Sequence, residues 1–386
     1  RRDAPAGPLG AAARRYRDLF DGFREEEPAP TLAPLPPDTA RRAIEIKGGA
    51  YFLDAAGVGI CRIPKTAWSA GNAPDGHTHA VVVLVEHGRV PEPGNPAHGW
   101  VAPAVREAGE MRAAEIAICL VRHIRMMGLA SSAHFEGSGA IDIERLAVLA
   151  GLALREGEGI ANPFLGDRFS LAAVSTAYAL ATDLPLAAGA RGKARGFAYW
   201  RGIGGAVSGR ERRRRARRAS HLGPYPMEGV RRVARPTTLI LDDEVPRVPK
   251  RAAFFERALK GDLGEKSRKE RTRFALKHPF AWAMGGPIRA MVPLQDRAVV
   301  EVDATGLEDP AANARALKAL SYFLGSDVTG ICEVPRYAWL SHQADGTEIV
   351  PKHRYAVVML IDQGFETMEG ASGDDWISGA QSMRAY

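Results

Sequence analysis

The sequence predicts an α/β protein of the layered α+β kind, built from a duplicated domain whose second copy is truncated. Three observations predict it. First, the block from Tyr51 to Trp68 recurs from Tyr322 to Trp339, with 9 of the 18 positions identical at a constant offset of 271 residues. Tyr51-Phe52-Leu53 returns as Tyr322-Phe323-Leu324, Gly59-Ile60-Cys61 as Gly330-Ile331-Cys332, and Pro64 with Ala67-Trp68 as Pro335 with Ala338-Trp339. A two-copy period this long means duplicated domains, not a solenoid. Second, each copy then enters an apolar run, Ala80 to Leu84 and Ala356 to Leu360, the second loop being five residues longer. Third, helical and strand patterns alternate with short connections, as in layered folds.

Length and composition agree. A chain of 386 residues can hold two domains with cores of their own. Hydrophobic content of 46% and charged content of 25% are those of an ordinary globular protein. The longest apolar runs, such as Leu146 to Leu154, are far too short to span a membrane. Arg1-Arg2 is followed by no apolar segment, which argues against a twin-arginine export signal and for a cytoplasmic location. The missing initiator Met and the stop in mid-pattern at Tyr386 predict a fragment at both ends.

The elements follow in order. Residues 1–40 are an extension with a helical stretch, Ala11 to Arg24, and a proline-rich linker, Pro28 to Pro37. The first repeat, 41–195, opens with an amphipathic helix from Arg41 into Ala56. A turn at Gly57, a strand from Gly59 to Ile63 and a buried strand from Ala80 to Glu86 follow. A helix from Ala104 to Met127 carries Met111, Ala114, Ile118 and Ile124 at helical spacing and stops at Gly128. A polar loop, His134 to Gly139, a helix, Ile143 to Leu154, and a strand, Leu171 to Thr176, complete the unit. Residues 196–300 form a basic connecting region, with a strand at Thr237 to Leu241 and a helix at Ala252 to Leu259. The second repeat occupies 301–386 and resumes its helix near Ala312.

Most of the reactive side chains have a plain explanation. His77 and His79 are one residue apart, but no third ligand is placed by spacing, so an exposed loop is expected and no metal site. His342 and His353 fall in the longer second loop and are expected to be solvated. Asp374 and Asp375 are expected to cap the helix that starts near Trp376. The three cysteines, two of them repeat-equivalent, are expected to be small buried apolar residues, not disulfides. Gly202 to Gly209 lacks a Walker lysine and a third dinucleotide glycine, which leaves a turn. The net charge of +7 is concentrated in the seven arginines from Arg210 to Arg218 and in Lys266 to Arg273. Without interleaved aromatics these runs favour a solvated face or an acidic partner over nucleic acid.

One position stands out. Glu110-Met111-Arg112-Ala113-Ala114 recurs as Ser382-Met383-Arg384-Ala385-Tyr386, so the second copy places a phenol where the first has a methyl group. Ala114 lies on the apolar stripe of its helix, so Tyr386 is expected on an interior face, with a polar group paired to its hydroxyl.

The run Gly330 to Trp339, the strand Tyr355 to Ile361 and the stretch Gly370 to Tyr386 resemble those of corrinoid-dependent reductive dehalogenases. The type is the soluble, catabolic one, with a degenerate N-terminal repeat before the working domain. The resemblance covers nearly the whole chain from about residue 41 and implies a nitroreductase-like corrinoid-domain fold. It implies cobalamin and two [4Fe-4S] clusters as cofactors, the cluster cysteines lying beyond residue 386. Tyr386 matches the family's proton-donating tyrosine, and Trp376, Ser378, Gln381 and Ser382 are candidates for lining the corrinoid or substrate pocket. The implied substrate is a small halogenated organic, aromatic or phenolic. The implied electron source is a donor protein or reductase domain, and no membrane or nucleic-acid partner is expected. Two other readings stay open: a non-catalytic scaffold from a decayed repeat, and an enzyme like epoxyqueuosine reductase acting on tRNA.

Overall fold

A computed structural model describes residues 7–24, 26–69, 73–190, 244–273, 279–295, 306–361 and 376–386, with positions 233, 234, 238 and 298. At 376–379 it describes the backbone. The Arg210 to Arg218 run, the Gly202 to Gly209 turn, the strand expected at Thr237 to Leu241 apart from position 238, and the Asp374-Asp375 cap lie outside the described residues.

The first unit is built on an antiparallel sheet. Its strands are β1 (Gly57–Arg62), β2 (His79–Glu86), β3 (Ser131–Phe135) and β6 (Phe169–Thr176), in the order β1-β2-β6-β3. A small hairpin, β4 (Leu154–Glu156) with β5 (Gly159–Ala161), stands apart. Strand β2 runs between β1 and β6 with Val82 opposite Gly59 on one side and Ala173 on the other. Its side chains alternate between two cores. Val81, Val83 and Val85 join the larger cluster with Ile118, Leu120 and Ile124, whereas Ala80 and Val82 join Cys61, Leu146 and Ala147 in the smaller one. With both faces covered, an unbroken apolar run is the stable solution, which is why Ala80 to Val85 shows no polar alternation.

The helices supply those covers. Helix α1 (Gly7–Phe20) packs on α4 and buries Phe20. Helix α2 (Thr39–Phe52) starts where Asp38 Oδ1 accepts a hydrogen bond from the Ala40 amide at 2.8 Å, an N-cap that satisfies an otherwise orphaned donor. After the short α3 (His98–Val101), α4 (Val105–Met126) crosses one face of the sheet, and α5 (Ile143–Leu149) lies on the other. Helix α4 stops at Gly128, whose φ of 85° only glycine adopts without strain. The expected linker is docked: the Ala29 and Ala33 amides donate to the Arg125 and Met127 carbonyls. Arg125 itself is buried, and its guanidinium donates to the carbonyls of Phe23, Arg24 and Ser131.

Beyond the first unit, α6 (Phe254–Lys260) and α7 (Gly264–Glu270) form an exposed pair. In α7 the basic run pairs with Glu265 through Arg268 and Lys269, as a solvated face should. Helix α8 (Pro279–Met291) packs on α4. Arg122 lies against its backbone, with Nε donating to the Ala283 carbonyl at 2.9 Å and the guanidinium where a Cβ on Gly286 would stand.

Helix α9 (Pro310–Phe323) is capped by Asp309 as α2 is by Asp38, 271 positions earlier. Strands β7 (Val328–Glu333) and β8 (Tyr355–Leu360) follow, and the chain ends in α10 (Trp376–Arg384). The β7–β8 register pairs Cys332 with Ala356 and Val328 with Leu360, and β1–β2 pairs Cys61 with Ala80 and Gly57 with Leu84. The outward strand β8 is open to solvent over Val357 to Leu360, where β2 is enclosed.

Four expectations are corrected here. Cys332 is exposed, because nothing described covers the face of β7 from which it projects, whereas Cys61 and Cys119 are buried as expected. His134 lies in strand β3, not in a loop, because Ser131 to Phe135 pairs with β6. His79 is buried on β2 and His77 half-buried beside it, because the hairpin extends into what looked like a loop. The helix from Ile143 ends at Leu149, since Ala150 and Gly151, the latter at φ 72°, turn the chain into the β4–β5 hairpin.

Candidate functional site

Helix α10 carries the residues singled out in the second repeat, and it is held from two sides. Ala380 is wholly buried in the main core and Met383 packs against it. Arg384 Nη2 donates to Asp54 Oδ2 at 2.6 Å, and its guanidinium lies 5.7 Å from the Phe52 ring centroid. Asp54 follows α2 in a left-handed conformation, φ 68°, which aspartate tolerates better than most residues. The repeat-equivalent arginine of α4, Arg112, donates to the neighbouring Leu53 carbonyl at 3.1 Å, and Asp54 helps to hold its pKa up after the stronger pull of Glu115. The two Met-Arg-Ala arginines thus converge on one turn.

The polar positions of α10 differ in setting. Gln381 is 1% exposed, and its Oε1 is a buried acceptor with no hydrogen-bond partner among the described residues. Leaving such an atom unpaired costs about 1–3 kcal/mol, so it marks a place that suits an incoming N–H donor. Ser382 is half-buried. Trp376 and Ser378 lie in the first turn, and their side chains are outside the described residues. Tyr386 does not take the interior setting expected of it: it is 86% exposed. Tyr386 is the last residue of the sequence given, whereas Ala114 lies mid-way along the 22 residues of α4 and is fully buried.

A polar cluster that the sequence did not mark lies at the open end of the β1–β2 hairpin. Ser175 on β6 is fully buried, with His77 Nδ1 and His134 Nε2 each 2.8 Å from its Oγ. The Trp68 ring meets His134 edge-on at 5.7 Å. In front of it opens a groove of about 620 Å³ lined by Arg62, Lys65, Trp68, Ser69, His77 and Thr78, among others. Register puts His134, opposite Ala173, on the diagonal from Ser175, but only once β3 is recognised.

Burial, reinforced by the charge of Arg24 and by His77, pushes His134 down from 6.5 to about 4. His77, His79 and His87 are lowered for the same leading reason. Between pH 6.5 and about 4 the unfolded chain therefore binds a proton at this position that the folded chain refuses. The contribution is present above pH 6.5 and is lost as the pH falls to about 4, a difference of about 3 kcal/mol for His134. Urea denaturation at pH 7.5 and pH 5 is expected to show the loss, and His134→Gln, which can still bond Ser175, should flatten it. An unchanged pH slope in that variant would overturn the assignment.

No set of three or more His, Cys, Asp or Glu side chains capable of holding a metal ion occurs among the described residues. Burial pushes the Cys61 thiol up to about 12 and raises Cys119 further, so neither is a ready thiolate. The three cysteines present do not fit a four-cysteine iron–sulfur site.

No family model and no curated protein matches the chain; the likeness is to solved structures. A lysine-to-glutamine variant of the catabolic reductive dehalogenase NpRdhA is 45% identical, superposes with a TM-score of 0.89 and is matched over 99% of this chain and 55% of its own. A reductive dehalogenase structure described as suggesting a mechanism for B12-dependent dehalogenation gives 45%, 0.87, 98% and 55%. NpRdhA in complex with 3-bromo-4-hydroxybenzoic acid gives 45%, 0.87, 98% and 54%. An epoxyqueuosine reductase bound to a tRNA stem loop matches at 12% identity and a TM-score of 0.28, too little to carry an argument. The chain spans about half the length of the dehalogenases it matches. At this identity along nearly its whole length, the chain belongs to the catabolic reductive dehalogenases.

Proposed function

We propose that this chain forms the N-terminal part of an oxidoreductase that removes halide from a halogenated phenolic or aromatic acid. The carrying observation is the 45% identity over 98% of the chain to a dehalogenase in complex with 3-bromo-4-hydroxybenzoic acid. The overall change replaces a carbon–halogen bond by carbon–hydrogen: two electrons and one proton enter, and halide leaves.

Tyr386 supplies the proton in this reading. Its hydroxyl meets no partner among the described residues and is open to an incoming substrate. Gln381 and Ser382, with Trp376 and Ser378 a turn earlier, would line the corrinoid, Gln381 offering its unpaired carbonyl to an amide N–H. The corrinoid, when bound, supplies the low-valent cobalt chemistry on the carbon–halogen bond, and the protein orients the substrate and delivers the proton. The two [4Fe-4S] clusters need cysteines this chain does not have.

The same proposal divides the chain into an extension to residue 40, a repeat from 41 to 195 kept for structure, a connecting region from 196 to 300 and a working repeat from 301. Descent of the two repeats from one ancestor is supported by the matching caps at Asp38 and Asp309 and by the hairpins in equivalent register. Ala114 in the first repeat has no proton to give. The test is bromide release from 3-bromo-4-hydroxybenzoate by the corrinoid-loaded protein that contains this chain, supplied with a strong reductant. Release matched to debrominated product is expected, and its absence would sink the proposal.

A further inference from the structure

The groove at the open end of the β1–β2 hairpin has a counterpart in the second repeat, and the comparison between them is informative. Trp68 and His77 correspond to Trp339 and His353, Arg62 to Glu333, Lys65 to Arg336 and Thr78 to Arg354. In the second repeat Trp339 stacks on His353, with ring centroids 6.2 Å apart and planes at 27°. Glu333 Oε1 takes a 2.8 Å bond from Arg354 Nη2 across the same strand pair. In the first repeat the two rings do not stack on each other, and the groove opens between them.

Its walls are built rather than incidental. Trp68 is fixed from behind by His134 and through its backbone bridge to Ile141, while the Ser69 amide and hydroxyl donate to the Ala140 and Gly139 carbonyls. His77 is held at Nδ1 by Ser175, which leaves Nε2 without a partner among the described residues. When the Ser175 hydroxyl donates to His77 Nδ1 and accepts from His134 Nε2–H, the free Nε2 carries the hydrogen and becomes a donor. Arg62 and Lys65 make no ion pair among the described residues, and the lining contains no carboxylate; Asp75 sits on the loop between Ala73 and His77. Two free cations, an indole face, an imidazole donor and a volume of about 620 Å³ form the usual composition of a small-ligand site, with a few polar groups fixing orientation.

The geometry points to a binding site for a small aromatic carboxylate in this groove, its ring against Trp68 and its anion between Arg62, Lys65 and His77. Guanidinium is suited to a carboxylate because its paired N–H groups match the two oxygens, and an indole face suits a flat ring. Glu333 at the equivalent position of the second repeat would repel that anion, which makes the site a property of the first repeat alone. The inference stands on the groove and not on the proton donor assigned to Tyr386.

The test uses calorimetric titration of the chain with 4-hydroxybenzoate, 4-hydroxybenzamide and inorganic phosphate. Saturable binding of the benzoate is expected, with the uncharged amide about tenfold weaker, since a charge-assisted pair is lost. Arg62→Glu, which installs the second repeat's side chain at an exposed position, should weaken benzoate binding by at least about tenfold. Trp68→Leu should weaken benzoate while leaving phosphate unchanged. Equal affinity for the amide, unchanged binding in Arg62→Glu, or phosphate binding as tightly as benzoate would each overturn the proposal. So would the absence of any benzoate binding to a chain whose circular dichroism shows it folded.

Discussion

Tyr386→Phe is expected to slow halide release by about 100- to 10,000-fold in the corrinoid-loaded protein, the range that a positioned general acid contributes. The substitution removes one oxygen and keeps the ring. At 86% exposure, with no hydroxyl partner among the described residues, that oxygen supports no part of the described fold. The loss should therefore appear in turnover with little change in thermal stability and little change in the substrate concentration that half-saturates the enzyme. Ion chromatography of released halide, read beside the product's deuterium content in heavy water, separates a missing proton from a missing substrate. A variant that releases halide at the parent rate would remove Tyr386 from the chemistry.

Gly59→Ala is expected to destabilise the chain severely, by about 3 kcal/mol or more, while Gly330→Ala at the equivalent position costs less than about 1 kcal/mol. A Cβ on Gly59 would stand 2.2 Å from the Ala150 carbonyl oxygen and 2.8 Å from its Cβ. Both belong to the turn that ends α5, and Gly59 is pinned opposite Val82 in the middle of strand β1, so neither side can yield cheaply. Nothing lies within 4 Å of a Cβ on Gly330. The asymmetry arises because α5 covers the Gly59 side of β1, whereas α9 packs on β7 and no described element covers its Gly330 side. Chemical denaturation of the two variants measures it directly, and equal losses would show that the glycine serves the strand itself, not its cover.

The largest features were legible because they depend on local pattern. Ala80 to Val85 announces a strand buried on both faces, and the spacing of Met111, Ala114, Ile118 and Ile124 announces the helix that covers it. The repeat was visible as identities from Tyr51 on, and the caps at Asp38 and Asp309 extend the same offset to the start of the helix before it. Strand β3 was missed because its residues, two serines, an alanine, a histidine and a phenylalanine, carry little strand propensity of their own. It forms because β6 offers a free edge beside it. His77 and His79 were misjudged for the same reason, since a hairpin's length is set by its partner strand and not by the polarity of its end.

The setting of Tyr386 illustrates the opposite limit. The motif places the phenol in register with Ala114, but burial is a property of what packs around a helix, and Tyr386 is 86% exposed where Ala114 is fully buried. By itself the sequence determined the mixed α/β class and the family, and it marked Tyr386 as the phenol to test. These follow from composition, period and short-range identity. Only the tertiary structure decided that Arg112 and Arg384 meet at the Leu53–Asp54 turn, that Ser175 joins two histidines, and that a groove opens beside Trp68 where the second hairpin stacks Trp339 on His353. Those depend on which distant strands and helices come into contact, and residues far apart in the chain leave no shared mark in either segment.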